Sequence, residues 1–278
     1  MIAPGASCLR VFFIAQSTAR EAARQKLFSF VLILAFALVL GARWFRDFNF
    51  GAPELKFLAD CGFGAMAFFG SALTIVATAQ LFFSEIESRT ALTLLAKPVY
   101  RGEFIVGKFL GVLGVIGVFC GVLTLLLGAV LWRREAELMA ELPEAFRSGR
   151  SIDFGTVMIA GALQWLKLAV LAAFTLLVAS FAQTQLFAIV TGFLVLVICH
   201  LQYLAQDAYA RSGSWLGRVG GAALAAVFPN FQLFALADSL APADAPAWGD
   251  VLRVGLYGGG YLAVGCALAV FSFRQREI

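Results

Sequence analysis

Residues 109–132 read FLGVLGVIGVFCGVLTLLLGAVLW, a run of 24 residues without a charge. An α-helix of about 20 apolar residues crosses the hydrocarbon core of a bilayer, so this run is long enough to span a membrane. The whole chain has the same character, because 61% of its residues are hydrophobic and 14% are charged, with a mean hydropathy of +0.88. Soluble domains carry about 25% charged residues. The composition therefore excludes a water-soluble globular protein.

Further uncharged runs flank this one, at Leu27–Ala42, Cys61–Phe83, Leu168–Gln206 and Val254–Phe273. The run 168–206 is too long for one span. Extended back to about Phe154, it divides at residues 182–185 (Ala-Gln-Thr-Gln), whose polar amides suit a turn at a membrane surface. We therefore predict an all-α integral membrane protein with six transmembrane helices, in which residues 1–278 form a single membrane domain.

Two other segments are apolar but are not predicted to span. Cys8–Lys26 separates apolar from charged side chains on a helix, which is typical of an interfacial helix; a solvated leader helix is the alternative. It has no compact apolar region with a cleavage site, so we predict no cleavable signal. Val219–Phe228 is interrupted by Pro229 and Asn230 before it could cross, which indicates a re-entrant segment. A broken helix at membrane depth needs surrounding protein or a water-filled cavity, so Pro229 and Asn230 either line a gate or fill space.

Charge alone does not orient this topology. An even number of spans places both termini on the same side of the membrane. Lys and Arg number ten on that side and ten on the opposite side, so the positive-inside rule gives no direction.

Residues 84–108, between the second and third predicted spans, read SEIESRTALTLLAKPVYRGEFIVGK and are dense in charge. Residues 85–95 can form a short amphipathic helix with acids in its first turn, where they complement the helix dipole. Pro98 disfavours helical geometry at the residue before it and would end this helix. An ordinary charged surface loop is equally compatible with this composition.

The same segment resembles the first cytoplasmic loop of type-two ABC exporter permeases, because acid-x-acid-x-x-Thr is followed by Leu-Leu-x-Lys-Pro-Val-x-Arg-x-x-Phe and Gly-Lys. The ending, residues 273–278 (FRQREI), is similar to the basic tail of that group. The resemblance implies six spans, an N-terminal interfacial helix, a re-entrant element before the last span and cytoplasmic termini. Within the family, the Glu-Ser-Arg-Thr variant looks closest to permeases associated with copper-enzyme maturation.

The resemblance also implies partners. A separate ATPase subunit would hold ATP and magnesium, so this chain would carry no cofactor and would not be an enzyme by itself. It would pair with an identical or homologous permease in the inner membrane of a bacterium, surrounded by lipid and without nucleic acid. The residues implied to contact or shape the ATPase interface are Glu85, Glu87, Arg89, Thr90, Pro98 and Arg101.

A phosphate-binding loop is excluded in this chain. Gly102–Lys108 matches its first seven positions, but Phe109 stands where the motif needs Ser or Thr for magnesium, and no strand precedes it. We expect Lys108 to extend to the lipid headgroups instead.

Lys167 is the one charge well inside an apolar run, and such a charge is a functional candidate. If its span begins near Phe154, Lys167 lies near the midplane and should face a cavity or an acid; if it begins near Gly161, the side chain reaches the interface. His200, predicted near the outer end of the fifth span, can titrate or bind a ligand, but we expect it to be merely hydrogen-bonded.

Two further patterns concern packing. The segment Arg133–Asp153 alternates in charge and is predicted to form a small solvated helix broken at Pro143, or a simple charged cap. Small residues in the third span are spaced to let a neighbouring helix approach, in this chain or in a partner. They are Gly107, Gly111, Gly114, Gly117 and Gly121.

No catalytic or metal-binding residue is predicted. The chain has one histidine and five scattered cysteines without a C-x-x-C pair. A membrane-embedded enzyme, the first alternative, would need a nucleophile with a base or paired carboxylates within the spans. An ATP-independent secondary transporter, the second alternative, would show inverted repeats. Neither pattern is visible, and the sequence favours a permease subunit of an ABC exporter.

Overall fold

The computed structural model describes residues 4–44, 54–87, 101–141, 143, 152–211, 215–235 and 247–275. Helices make up these residues, with no β-strand among them. The main elements are α1 (Pro4–Arg24), α2 (Lys26–Gly41), α3 (Glu54–Glu87), α4 (Arg101–Glu141), α5 (Phe154–Phe181), α6 (Gln185–Arg211), α7 (Trp215–Val227), a 3-10 helix (Phe231–Phe234) and α8 (Trp248–Arg274).

Six of the helices, α2, α3, α4, α5, α6 and α8, are long and apolar enough to cross a membrane. This confirms the predicted all-α membrane architecture, including the division of the long run by the turn at residues 182–184. At 1.5 Å per residue, α4 with its 41 residues is about 60 Å long, roughly twice the hydrocarbon thickness. Its charged ends therefore lie outside the apolar layer.

Helix α5 forms the centre of the bundle. It packs against α3, α4, α6 and α8, and its segment 168–173 is completely buried. Small residues make this possible: a Cβ on Gly161 would lie 2.2 Å from the Thr124 hydroxyl oxygen, and one on Gly265 would lie 3.0 Å from the Cβ of Ala173. Where side chains are small, neighbouring helices approach closely.

The surface of the bundle is apolar along its spans. Helix α6 exposes large side chains such as Phe187, Leu194 and Leu201, and α8 exposes Leu256 and Phe271. Exposed apolar area of this extent is not tolerated in water and is expected in lipid or against another membrane chain.

Ion pairs tie the helix ends together at the side where α4 ends and α5 begins. Arg134, which is 5% exposed, donates to both carboxylate oxygens of Glu54 on α3, at 2.7 and 3.1 Å. It also donates to Glu137, which accepts two further hydrogen bonds from Arg43 beyond α2. Glu135 accepts from the backbone N–H of Ile152.

The separate solvated helix predicted within Arg133–Asp153 is therefore wrong. Helix α4 continues without a break to Glu141, and residues 142 and 144–151 lie outside the described part of the chain. Some of these charges pair within α4, as Arg133 does with Glu137, whereas Arg134 and Glu137 also pair with Glu54 and Arg43 outside α4, which the local pattern does not reveal.

Asp153 caps the N-terminus of α5. Its carboxylate accepts hydrogen bonds from the backbone N–H groups of Gly155 and Thr156 and from the Thr156 hydroxyl. The Thr156 hydroxyl contributes most to holding the pKa of this carboxyl below its usual range. The cap starts the helix at Phe154 and so places Lys167 as the 14th of its 28 residues.

Helix α1 lies along the first half of α4. A Cβ on Gly107 would lie 2.8 Å from that of Ile14, and one on Gly111 would lie 2.7 Å from the Ala15 carbonyl oxygen, so the two backbones are nearly in contact. Part of the glycine pattern thus packs within the chain, whereas Gly114 has open space around it.

The opposite face of α1 remains apolar and exposed, with Leu9, Phe12 and Phe13 each about 60% exposed. Two smaller apolar residues of α1, Ala15 and Ala19, are half-buried. An interfacial position of α1 stays a prediction that its exposed face supports.

Helix α7 packs mainly against α6 and ends beside α5 and α8. Its C-terminal end contacts two spans: Phe228, just after the helix, stacks on Phe174 of α5, and the Tyr261 hydroxyl of α8 donates to the carbonyls of Ala225 and Ala226. Just beyond the break, Phe231 packs edge-on against His200 of α6. A re-entrant position of this segment stays a prediction, which the break at Pro229 among three spans supports.

Candidate functional site

The segment predicted to contact an ATPase joins α3 to α4. Glu85 and Glu87 lie in the last turn of α3, so the prediction that they begin a separate helix is wrong. Arg101 is the first residue of α4. Arg89, Thr90 and Pro98 lie outside the described residues, as do the side chains of Glu85, Glu87 and Arg101.

A buried lysine joins the two helices at the base of this segment. The ammonium group of Lys108 on α4 donates a hydrogen bond to the backbone carbonyl of Leu81 on α3 and lies 5.4 Å from the centroid of the Phe104 ring. Lys108 is 2% exposed, so its predicted extension to the lipid headgroups is wrong. A carbonyl in the last two turns of α3 and an aromatic face bind the charge inside the protein.

Three buried phenylalanines bring the end of α8 into the same place. Phe273 packs edge-on against Phe82 of α3, with centroids 5.6 Å apart, and stacks on Phe104 of α4 at 6.3 Å. All three rings are at most 3% exposed. We name Leu81, Phe82, Phe104, Lys108 and Phe273 the junction.

Helix α1 is attached to the junction from outside. Arg10 forms an ion pair with Glu103 at 3.1 Å, directly beside Phe104. Together with the close contact at Gly107, this pair holds α1 against the first turns of α4. Four helices therefore meet at the base of the predicted ATPase-contacting segment.

The break after α7 is held by α8. Pro229 is buried, and the backbone N–H of Asn230 donates to the Tyr257 hydroxyl at 2.9 Å. The Asn230 side chain accepts from the N–H of Gln232 and caps the 3-10 helix. Of the two predicted gate residues, Pro229 is thus buried and Asn230 is half-buried, and the backbone N–H of Asn230 has a partner where regular helical hydrogen bonding stops.

Lys167 faces the interior beside the break. It is 6% exposed, and its ammonium group lies 5.4 Å from the centroid of the Phe231 ring. The helix begins at Phe154, which is the first of the two alternatives, and Lys167 faces a cavity from the middle of α5; its depth in the membrane stays a prediction.

His200 is the 16th of the 27 residues of α6, not near its outer end as predicted. Its Nδ1 lies 3.0 Å from the Leu196 carbonyl oxygen, which agrees with a histidine that is merely hydrogen-bonded.

A cavity of about 190 Å³ opens beside Lys167. Helices α3 and α5 and the 3-10 helix form its walls. Its polar lining consists of Lys167, Gln164 and Asp60, and aromatic rings of Phe63 and Phe234 form much of the remainder. Gln164 is 6% exposed, and its Nε2 has no hydrogen-bond partner among the described residues.

Sequence reasoning missed several of these residues. Phe273 and Phe104 looked like two of 28 phenylalanines, and Gln164 looked like an isolated amide in an apolar run. Tyr257 and Tyr261 did carry a signal, since two hydroxyls one turn apart in a predicted span need partners. The described residues contain no group of three His, Cys, Asp or Glu side chains that could hold a metal ion.

Comparison with known proteins identifies the family to which this helical bundle belongs. A search of curated proteins gave no match. The model of a family described as ABC-2 family transporter protein matches residues 8–208. The match begins in α1, includes the junction residues of α3 and α4 and the cavity residues of α5, and ends in α6. Since it covers well over half of the 278 residues, the chain belongs to the ABC-2 family of transporter proteins.

Proposed function

We propose that this membrane permease is the transmembrane subunit of an exporter whose ATP is hydrolysed, with magnesium, on a separate ATPase subunit. Family membership carries the proposal, because ABC-2 proteins are transport components of the membrane. The ATPase would dock on the segment between α3 and α4, with Glu85, Glu87, Arg89, Thr90, Pro98 and Arg101 contacting or shaping the interface. Termini in the cytoplasm of a bacterial inner membrane follow from this arrangement.

The junction supports a route for the motion. Movement of the segment between α3 and α4 would displace both helices together, since Lys108 and the stacked rings of Phe82 and Phe104 join them. Phe273 would pass the displacement to α8. From there a rigid helix reaches Tyr261 and Tyr257, about 18 and 24 Å away at 1.5 Å per residue.

Those two tyrosines hold the break at Pro229 and Asn230. Helix α8 would thus act as a lever between the ATPase contact and the re-entrant segment, where a gate would open.

Two such permeases, identical or homologous, would form the pathway between them. The apolar exposed faces of the spans leave room for such a partner as well as for lipid. An association with copper-enzyme maturation stays a prediction from the Glu-Ser-Arg-Thr variant alone.

The decisive experiment is co-purification in detergent with the ATPase encoded beside the gene. Wild type should co-elute with the ATPase and alter its hydrolysis rate. Reversing the charges with Glu87→Arg and Arg101→Glu together should abolish co-elution, because charge complementarity sets such docking.

A matched control reverses another acid and another arginine on an exposed surface, with Asp250→Arg and Arg253→Glu. These residues form an exposed ion pair at the start of α8, far from the junction. Co-elution should survive there. If wild type binds no ATPase, or if the Glu87 and Arg101 reversals leave binding and hydrolysis unchanged, the ATP-driven mechanism fails and an ATP-independent transporter or a membrane-embedded enzyme becomes the better reading.

A further inference from the structure

We propose that the cavity beside Lys167 binds the acidic group of a ligand, a carboxylate or a phosphate. The site consists of two buried donors, Lys167 and Gln164, behind aromatic walls in the core of the bundle. Nothing in the family match assigns a ligand to this place.

The donors are the first reason. The ammonium group of Lys167 lies 5.4 Å from the centroid of the Phe231 ring, and no hydrogen bond or ion pair to it occurs among the described residues. Gln164 lies on the same helix one turn earlier, and its Nε2 likewise has no partner there. Both groups can only donate, so an acceptor that carries negative charge satisfies both.

The absence of a protein counter-ion is the second reason. A charged side chain at this depth costs several kcal/mol unless it is paired. Asp60 lines the same cavity but is exposed at its edge, and no ion pair within 4 Å joins it to Lys167 in the described structure. An ammonium group that forms no ion pair with the Asp60 carboxylate at the cavity edge is neutralised if a ligand supplies the negative charge.

The volume of the cavity limits how much of the ligand can enter it. A volume of about 190 Å³ is below the 300–1,000 Å³ typical of pockets for whole drug-sized molecules. It accommodates an acidic head with a few attached atoms. The exposed residues Asp60, Gly64 and Ala235 surround the opening, where an attached chain would leave the cavity.

The binding test uses the full-length permease alone in a neutral maltoside detergent, so its outcome does not depend on whether an ATPase docks. Radiolabelled dodecanoate and dodecyl phosphate serve as the probes. We expect saturable binding of at least one of them to wild type. Lys167→Met and Gln164→Leu should each weaken it at least tenfold, because each removes a donor.

Lys26→Met is the matched control, since it removes a lysine that is exposed at the start of α2. Its affinity should equal that of wild type. Competition then distinguishes the source of the acidic group. Displacement by inorganic phosphate or acetate supports a free anion as the ligand, and displacement only by chain-bearing acids supports a membrane amphiphile.

Thermal unfolding separates a ligand site from a structural lysine. Met has a similar shape without the unpaired charge, so Lys167→Met should melt at the same or a higher temperature without ligand. Binding of equal affinity in Lys167→Met, equal displacement by dodecyltrimethylammonium, or no saturable binding to folded wild type would overturn the proposal. Gln164→Leu provides the test if Lys167→Met does not fold.

Discussion

Three buried cations illustrate three solutions to the same physical problem. Arg134 is neutralised by carboxylates of Glu54 and Glu137. Lys108 donates to the carbonyl of Leu81 and has an aromatic face beside it. Lys167 has an aromatic face beside it and no hydrogen bond or ion pair among the described residues. Because the first two are satisfied by the protein itself, they are explained by packing, whereas the third is the one that a ligand would complete.

Asp153 offers a test of a single capping residue. Asp153→Ala should lower the free energy of unfolding by about 0.5–2 kcal/mol at neutral pH, because it removes the hydrogen bonds to the first turn of α5. The pKa of this carboxyl is lower in the folded protein, so its contribution is present above the unfolded pKa of about 3.9 and is lost as pH falls through the lower, folded value.

Thermal unfolding of wild type and Asp153→Ala in detergent at several pH values checks this expectation. The difference in melting temperature should be largest near pH 7 and should shrink below about pH 4. A difference that stays constant across this range would mean that the carboxylate charge has no part in the cap.

Among the elements, α4 combines two kinds of glycine on one helix, and this provides a matched pair of variants. Gly111→Ala places a methyl group 2.6 Å from the Cβ of Thr18, so α1 must move away. Overpacking of this kind costs about 1–3 kcal/mol. Gly114→Ala adds the same methyl group one turn later, where nothing lies within 4 Å.

We expect Gly111→Ala to lower the melting temperature and to make α1 more susceptible to protease, with Gly114→Ala resembling wild type or melting slightly higher. If both variants behaved alike, the contact between α1 and α4 would not contribute to stability. A loss of ATPase co-elution in Gly111→Ala alone would additionally link α1 to the junction, to which Arg10 already attaches it.

At the scale of the whole molecule, the six candidate spans among the described residues predict that both termini lie on the same side of the membrane. The proposed ATPase contact lies between α3 and α4, on the side of the termini, so that side should be the cytoplasm. In a bacterial host, alkaline phosphatase fused to either terminus should be inactive and a fluorescent protein there should be fluorescent. Phosphatase inserted between α4 and α5 should be active. Active phosphatase at the termini would reverse the orientation and exclude docking of a cytoplasmic ATPase on that segment.

The number of candidate spans, their approximate bounds and the helix break before Pro229 could be predicted from the sequence because each depends on local properties. The uncharged run 109–132 is long enough to cross a bilayer, which predicted that α4 spans the membrane. The amides at 182–185 predicted the turn after α5, and Pro229 predicted the end of α7. Each signal lies within about 25 consecutive residues, so no long-range contact was needed to read it.

Partners of individual side chains depended on the tertiary structure. The sequence by itself determined that this is a six-span membrane protein resembling ABC exporter permeases, since apolar length and a local motif are enough for that. Only the tertiary structure decided that Lys108 is buried against Leu81, that Phe273 joins the junction from the far end of the chain, and that Lys167 and Gln164 line one cavity. The physical reason is that helix packing brings together residues up to about two hundred positions apart, and which faces meet is decided by small residues and charges on both helices at once.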